Sequence, residues 1–293
     1  MYTNSIKRIY SGFIFMLLLA IPFASIAQPR YVSVPSGIGT LDATIISDST
    51  GRQQNPNTIY LLERNGYYLT QSTISNNGYH LRIEGVNGTG ADPIIRPGLL
   101  PDGITSSRCF NPKGDFTLKN IYLVNVDDHP TLPKVIQNGI RVGASGVKIT
   151  IDSCHIDYDI QSTIRLDNPN CKVFITNSIF SNLGDMNGSN GRVLDTRGTV
   201  QDTIIIENNI IYNVAERLLR TAAARITYLR INNNTMVSCP QGDFDFGPSN
   251  EVTFFNNLMI DCGIIGSYPD DTGAILMADT LIQAGTQFIN IHH

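Results

Sequence analysis

The chain has 293 residues, no tryptophan, and only 16% charged residues. It has no Cys-x-x-Cys pair, and its five histidines, His80, His129, His155, His292 and His293, are scattered. The spacing that builds a tetrahedral metal centre is therefore missing. There is no basic surplus. The formal net charge is −4, a poor match for the phosphates of DNA or RNA. Beyond the first 27 residues no apolar run is long enough to span a bilayer, so no insertion into a membrane is expected of the rest. No sustained helical period occurs either. Without tryptophan, aromatic surface falls to the 12 tyrosines and 12 phenylalanines.

Residues 1–27 read as a signal peptide. Lys7 and Arg8 precede the apolar run Phe13–Ala20, and Ser25-Ile26-Ala27 has the small-x-small form of a cleavage site. Cleavage before Gln28 removes two cations and no anion, which leaves a net charge of −6. The expected location is secreted, periplasmic or cell-surface. Five cysteines is an odd number for an exported chain, so at least one thiol stays unpaired within a monomer.

What the chain does have is a short phrase written six times between Phe116 and Cys262. It reads apolar, x, apolar, x, Asn or Ser, x, x, apolar. With the Asn or Ser as position zero, the copies centre on Asn120, Ser153, Asn177, Asn208, Asn233 and Asn256, at steps of 33, 24, 31, 25 and 23 residues. Position −4 holds Phe116, Ile149, Val173, Ile204, Leu229 and Val252. Position −2 holds Leu118, Ile151, Ile175, Ile206, Ile231 and Phe254. Position +3 holds Leu123, Ile156, Phe180, Ile211, Met236 and Met259. Every slot is apolar, so the phrase is an internal repeat. Within it apolar and polar residues alternate at the strand period, and β-branched residues dominate. One such strand cannot bury its own inner face. Stacking turns at about 4.8 Å per step sets each apolar column over itself and closes a core. The expected fold is all-β, a parallel β-helix. Asn suits the bend between strands because it tolerates the left-handed backbone region, and stacked amides can bond from turn to turn. Asn209, Asn234 and Asn257 repeat at +1.

Over roughly residues 80 to 265 these positions resemble the right-handed parallel β-helix proteins of the pectin-lyase-like superfamily, which carry such an asparagine ladder. The resemblance implies the right-handed form of the fold, an N-terminal helical cap, and polysaccharide as the partner class. Uronate-containing chains cut by elimination or hydrolysis are the commonest case, and the polysaccharide lyase group that includes chondroitin- and alginate-cleaving enzymes is the relevant branch. The lyase signature containing Trp is absent, and so are the Gly-His-Gly and paired-Asp patterns of the hydrolases.

Residues 28–80 lie outside the phrase and read as a cap with the first strands; residues 81–293 read as the β-helix domain. Leu41 and Ile45, four apart, suit a short helix, and Asn65-Gly66 reads as a hairpin or turn between Ile59–Leu62 and Tyr67–Leu69. Leu81–Gly85 fits the phrase with Gly in the Asn slot, which marks it as the first turn. Loops are expected around Gly98–Cys109, after Val126 and over Gly184–Gly191, on one flank of the rod where they would wall a groove. Cys239 and Cys262 both sit at +6, one turn apart, close enough for a disulfide or for two stacked thiols. Gly273–Met277 can supply a last strand.

A second strand in each turn aligns Arg141, Arg165, Asp195, Arg220 and Asp245 as an outward ladder, with Arg197, Glu216 and Arg217 nearby. Two readings stand. Opposite charges on adjacent turns pair across the sheet, or the guanidiniums take the carboxylates of an acidic sugar in bidentate fashion. In a lyase, Arg165, Arg197 and Arg220 would neutralise the uronate, with Arg217 or Lys172 as base. Arg141, Asp195 and Asp245 would contact substrate. Asp195 and Asp245 as an acid–base pair, and calcium at Asp243 and Asp245, are further options. The function expected is action on, or binding of, an acidic polysaccharide. A non-catalytic glycan-binding or adhesion module is the alternative, and oligomeric state is left open.

Overall fold

The computed structural model describes residues 28–49, 57–185, 190–239, 244–245, 248–262, 275–276 and 287–289. The described residues form a parallel β-solenoid with three sheets and one short helix, α1 (Thr40–Ser49). Sheet A has ten strands, from Arg30–Val34 to Gln287–Ile289. Sheet B has nine, from Gly37–Ile38 to Leu258–Cys262, and sheet C has seven, from Arg108–Phe110 to Ile275–Leu276. From Arg108 onward the chain visits C, A and B in turn, so each strand pairs with its counterpart one turn away, always parallel.

The three apolar columns are the core. Ile149, Val173, Ile204, Leu229 and Val252 stack in register along sheet A, as do Ile151, Ile175, Ile206, Ile231 and Phe254. The +3 column runs up sheet B through Ile156, Phe180, Ile211 and Met236. All of these are buried, and Met259 packs partly buried at the end of the column. Each such side chain removed from water contributes roughly 1.5–3 kcal/mol.

The stack begins earlier than the phrase indicates. Arg30–Val34 and Thr58–Leu62 precede Leu81–Gly85 in sheet A, with Tyr60 opposite Ile83. Tyr60, Leu62 and Val34 fill the core that aliphatic residues fill further along. This irregular, tyrosine-rich spelling hid the first turns. Asn65-Gly66 is a corner between sheets A and B, not a hairpin, since the flanking strands pair with other turns. Helix α1 packs against the first strands of sheets A and B and buries Leu41 and Ile45.

The A–B corner is built by two columns with different tasks. Asn120, Ser153, Asn177, Asn208, Asn233 and Asn256 all have φ between 52 and 59°. They make the bend, and most lie exposed. At Gly85 the φ is not left-handed; there glycine is needed because a Cβ would collide with the Asn120 carbonyl oxygen. The turn-to-turn bonds belong to the +1 column. Asn209 Nδ2 donates to Asn234 Oδ1 at 2.9 Å, and Asn234 Nδ2 donates to Asn257 Oδ1 at 2.9 Å. The backbone N–H groups of Ser178, Asn209 and Asn234 donate to the next amide oxygen, and Ser178 Oγ continues the ladder to the N–H of Cys154. Corner N–H groups that no strand can satisfy are thereby bonded.

A second corner lies inside sheet B. Tyr158, Asn182, Asn213, Ser238 and Asp261, all at +5, have φ between 51 and 61°. The left-handed residue turns out and returns the +6 residue to the core, as Leu183, Val214 and Cys239 show. Cys262 lies in register with Cys239, at the outer end of that column. In one turn the +6 residue is Asp159, wholly buried. Its carboxyl accepts from Asn125 Nδ2 at 3.0 Å and Thr163 Oγ1 at 2.8 Å. Burial raises its pKa well above the carboxylate range, against those two bonds.

Two outcomes test this account. Asn234→Ala strands the buried N–H and Nδ2 donors of Asn209, removes the side-chain donor to the Ile206 and Asn232 carbonyls, and lowers stability by about 2–3 kcal/mol, whereas Asn233→Gly, which keeps the bend, costs under about 1 kcal/mol; urea unfolding followed by circular dichroism compares them. Asp159 binds its proton more tightly folded than unfolded. Its stabilising contribution is therefore complete below the unfolded pKa, about 3.9, and is lost as pH rises toward the folded value. Asp159→Asn should raise the melting temperature at pH 8 and change it little at pH 4.

Candidate functional site

Sheet C brings the expected ladder together. Arg141 lies opposite Arg165, Arg165 opposite Asp195, and Asp195 opposite Arg220. Asp245 follows Phe244, which pairs with Leu219, so it continues the row; its side chain lies outside the described residues, as does Asp243. The strands form here because Ile140, Ile164, Leu194 and Leu219 stack as their own buried column. The loops that precede three of these strands all leave from the B–C side of the turn.

Like charges stacked at strand spacing repel, and the network is arranged around that fact. Asp167 sits between Arg141 and Arg165 and accepts from Arg141 Nε at 2.6 Å and Arg165 Nε at 2.9 Å. Burial works to raise the Asp167 pKa, but the two arginines outweigh it and hold it below the ordinary value. Arg165 Nη1 also donates to Gln161 Oε1 at 2.9 Å. Asp195 is not outward and open as the ladder suggested. It is buried beneath arginines, with Arg220 Nη1 at 3.2 Å, Arg192 Nη1 at 3.5 Å and Arg197 Nη1 at 3.8 Å from Oδ2. Its Oδ1 accepts from the Arg197 N–H at 2.9 Å, a bond that fixes Arg197 in a left-handed conformation.

The centre of the network is a pair that the ladder did not contain. Arg192 and Glu216 are both buried and form an ion pair. Arg217 Nε lies 3.2 Å from the other Glu216 oxygen. Burial lowers the Arg192 pKa, against the pull of Glu216 and Asp195. Glu216 and Arg217 stood beside the ladder in the sequence, but it is the strand register, which sets Arg192 opposite Arg217, that brings the pair together. Arg108, at the start of the first sheet C strand, adds a further guanidinium. Its pKa is lowered by burial first and then by Arg141.

Lys172 belongs elsewhere. It is on sheet A, with Nζ 3.2 Å from Asp202, so it is no base for this row. Asp195 and Asp245 are separated by the Arg220 strand, and both Asp195 oxygens are engaged. Among the described residues no three His, Cys, Asp or Glu side chains gather in a way that could hold a metal ion, and no helix is long and apolar enough to cross a membrane.

No protein-family model matches the chain, and no curated protein matches it. Sheet C is therefore judged by its own chemistry. Six arginines, at 141, 165, 192, 197, 217 and 220, meet three carboxylates, Asp167, Asp195 and Glu216, and Arg108 lies beside them. Most of these bonds use Nε or one terminal nitrogen, and a guanidinium has five donors. The face is a fixed array of cationic forks, held at spacings set by the strands.

Glu216→Ala leaves Arg192 buried beside an empty partner position and is expected to cost about 3 kcal/mol. Asp167→Ala, in a partly exposed pair, should cost at most about 1 kcal/mol. Thermal unfolding of the two variants checks the order.

Proposed function

We propose that this chain binds a linear acidic polysaccharide along sheet C. The arginine excess on one sheet of a chain whose net charge is −4 carries the reading. Arg141, Arg165 and Arg220 repeat along the rod axis at multiples of about 4.8 Å, and a polymer with a carboxylate or sulfate at regular intervals can meet several forks at once. Several weak contacts on one strand of polymer then add as avidity. Export through residues 1–27, as expected from the sequence, would place this face among such polymers.

Binding is favoured over cleavage for a specific reason. Elimination from a uronate requires a base to take a proton as well as a cation to hold the carboxylate. No Lys, His or Tyr occurs in the described strands of sheet C. Asp167, Asp195 and Glu216 are each engaged by at least two guanidiniums.

Affinity electrophoresis of the chain from Gln28 onward through gels containing polygalacturonate, alginate or chondroitin sulfate tests the proposal. Retardation by at least one polymer, weakening steeply with salt, is expected. Arg165→Ala and Arg220→Ala should each reduce affinity about tenfold, the loss of one charged hydrogen bond, while Lys172→Ala on sheet A leaves it unchanged. No retardation at low salt, or equal affinity in all variants, overturns it. An ultraviolet rise from unsaturated product would replace binding by cleavage.

A further inference from the structure

The first four strands of sheet A, Arg30–Val34, Thr58–Leu62, Leu81–Gly85 and Phe116–Lys119, carry a cleft of about 340 Å³ on their outer face. Tyr31, Leu61, Glu84, Val86, Asn87 and Lys119 line it. It is on a different sheet from the arginine row. Two features shape it. The chain leaves its strand through Val86 and Asn87, and Asn120 Nδ2 donates to Asn87 Oδ1 at 3.0 Å, which pins this lip to the next turn. Gly85 stands in the corner column where the later turns carry Asn or Ser, so no side chain rises from the cleft at that position.

The charges of the cleft are not arranged as its register would suggest. Glu84 and Lys119 face one another on neighbouring strands. Opposite charges so placed attract. Here each reaches for another partner. Glu84 Oε1 accepts from Arg82 Nη2 at 2.9 Å, and Lys119 Nζ lies 3.2 Å from Asp152 Oδ2. Both still line the cleft, so one wall offers an acceptor and the other a donor. Tyr31 stands 60% exposed on the outermost strand of the sheet. Leu61 and Val86 add apolar surface beside it.

We propose that this cleft is a binding subsite for a neutral sugar, one or two rings of a glycan. Its size is at the low end for small-molecule sites, about 300–1,000 Å³. A pyranose has an apolar C–H face, which a tyrosine ring can cover, and hydroxyls that donate and accept at once. One hydroxyl can donate to Glu84 while its neighbour accepts from Lys119. A charged ligand gains less. Arg82, Glu84, Lys119 and Asp152 sum to zero, and each already has its counter-ion, so a ligand's charge finds nothing left to neutralise. The same reasoning separates this cleft from sheet C, where guanidiniums outnumber carboxylates.

Saturation-transfer NMR tests the proposal on the chain from Gln28 onward, with cellohexaose, xylohexaose and mannohexaose as neutral probes. At up to about 10 mM, above the roughly 1 mM Kd that a few such contacts give, at least one probe should receive transfer. Tyr31→Ala should remove it. This side chain is exposed, so the fold survives, and circular dichroism verifies it. Glu84→Ala and Lys119→Ala should each raise Kd about tenfold, the loss of one charged hydrogen bond. Arg165→Ala should leave the neutral probe bound, and Tyr31→Ala should leave retardation by acidic polymers unchanged, so the two sites stand or fall separately. No transfer to any of the three probes overturns the proposal. So does transfer that persists in Tyr31→Ala, or transfer abolished by free glycine, which would mark the cleft as a site for a zwitterion.

Discussion

Along the strands of the solenoid, residues sit over counterparts one turn away, at strand spacing, and the rest of the structure answers to that constraint. It is favourable where the counterpart is apolar: Ile151 over Ile175 over Ile206 builds a core that no single strand could close. It is favourable where the counterpart is an amide, since one Asn supplies the acceptor that the next Asn and its backbone need. It is costly where the counterpart carries the same charge. Arg141 over Arg165 persists because Asp167 reaches both.

Division of labour at the corners follows from the same stacking. A bend needs left-handed backbone, and it also strands peptide groups. One residue cannot serve both ends with one side chain. The position-zero asparagines take the backbone strain and face solvent, while the +1 residues turn inward and bond the next turn. The second bend in sheet B is paid for with less suitable residues, Tyr158 among them. Packing on both sides of the strand fixes that conformation, because the +6 residue must return to the core.

The three outer faces diverge because the core places no demand on them. Sheet C spends its outer positions on guanidiniums and their buried partners, sheet B on tyrosines and aliphatics, and sheet A on a mixture that includes Lys148 over the Phe174 ring. Each face of the rod can therefore differ from the others without disturbing the core.

Much of this was legible in the chain itself. Apolar alternation between Phe116 and Cys262, with Asn at a fixed place, determined parallel stacking, the three core columns and the A–B bend, because each depends on residue type and spacing alone. The order Arg141, Arg165, Asp195, Arg220 was legible for the same reason. The first turns were not, since Tyr60 and Leu62 fill core space without spelling the phrase. Nor was the Arg192–Glu216 pair: loops of unequal length precede the sheet C strands, and only the folded register shows which side chains are covered. That Asp195 is buried and Asp157 enclosed, while Ile210 and Leu258 stand open, was decided by tertiary structure, because exposure depends on what neighbouring turns lay over a residue and not on the residue's own kind.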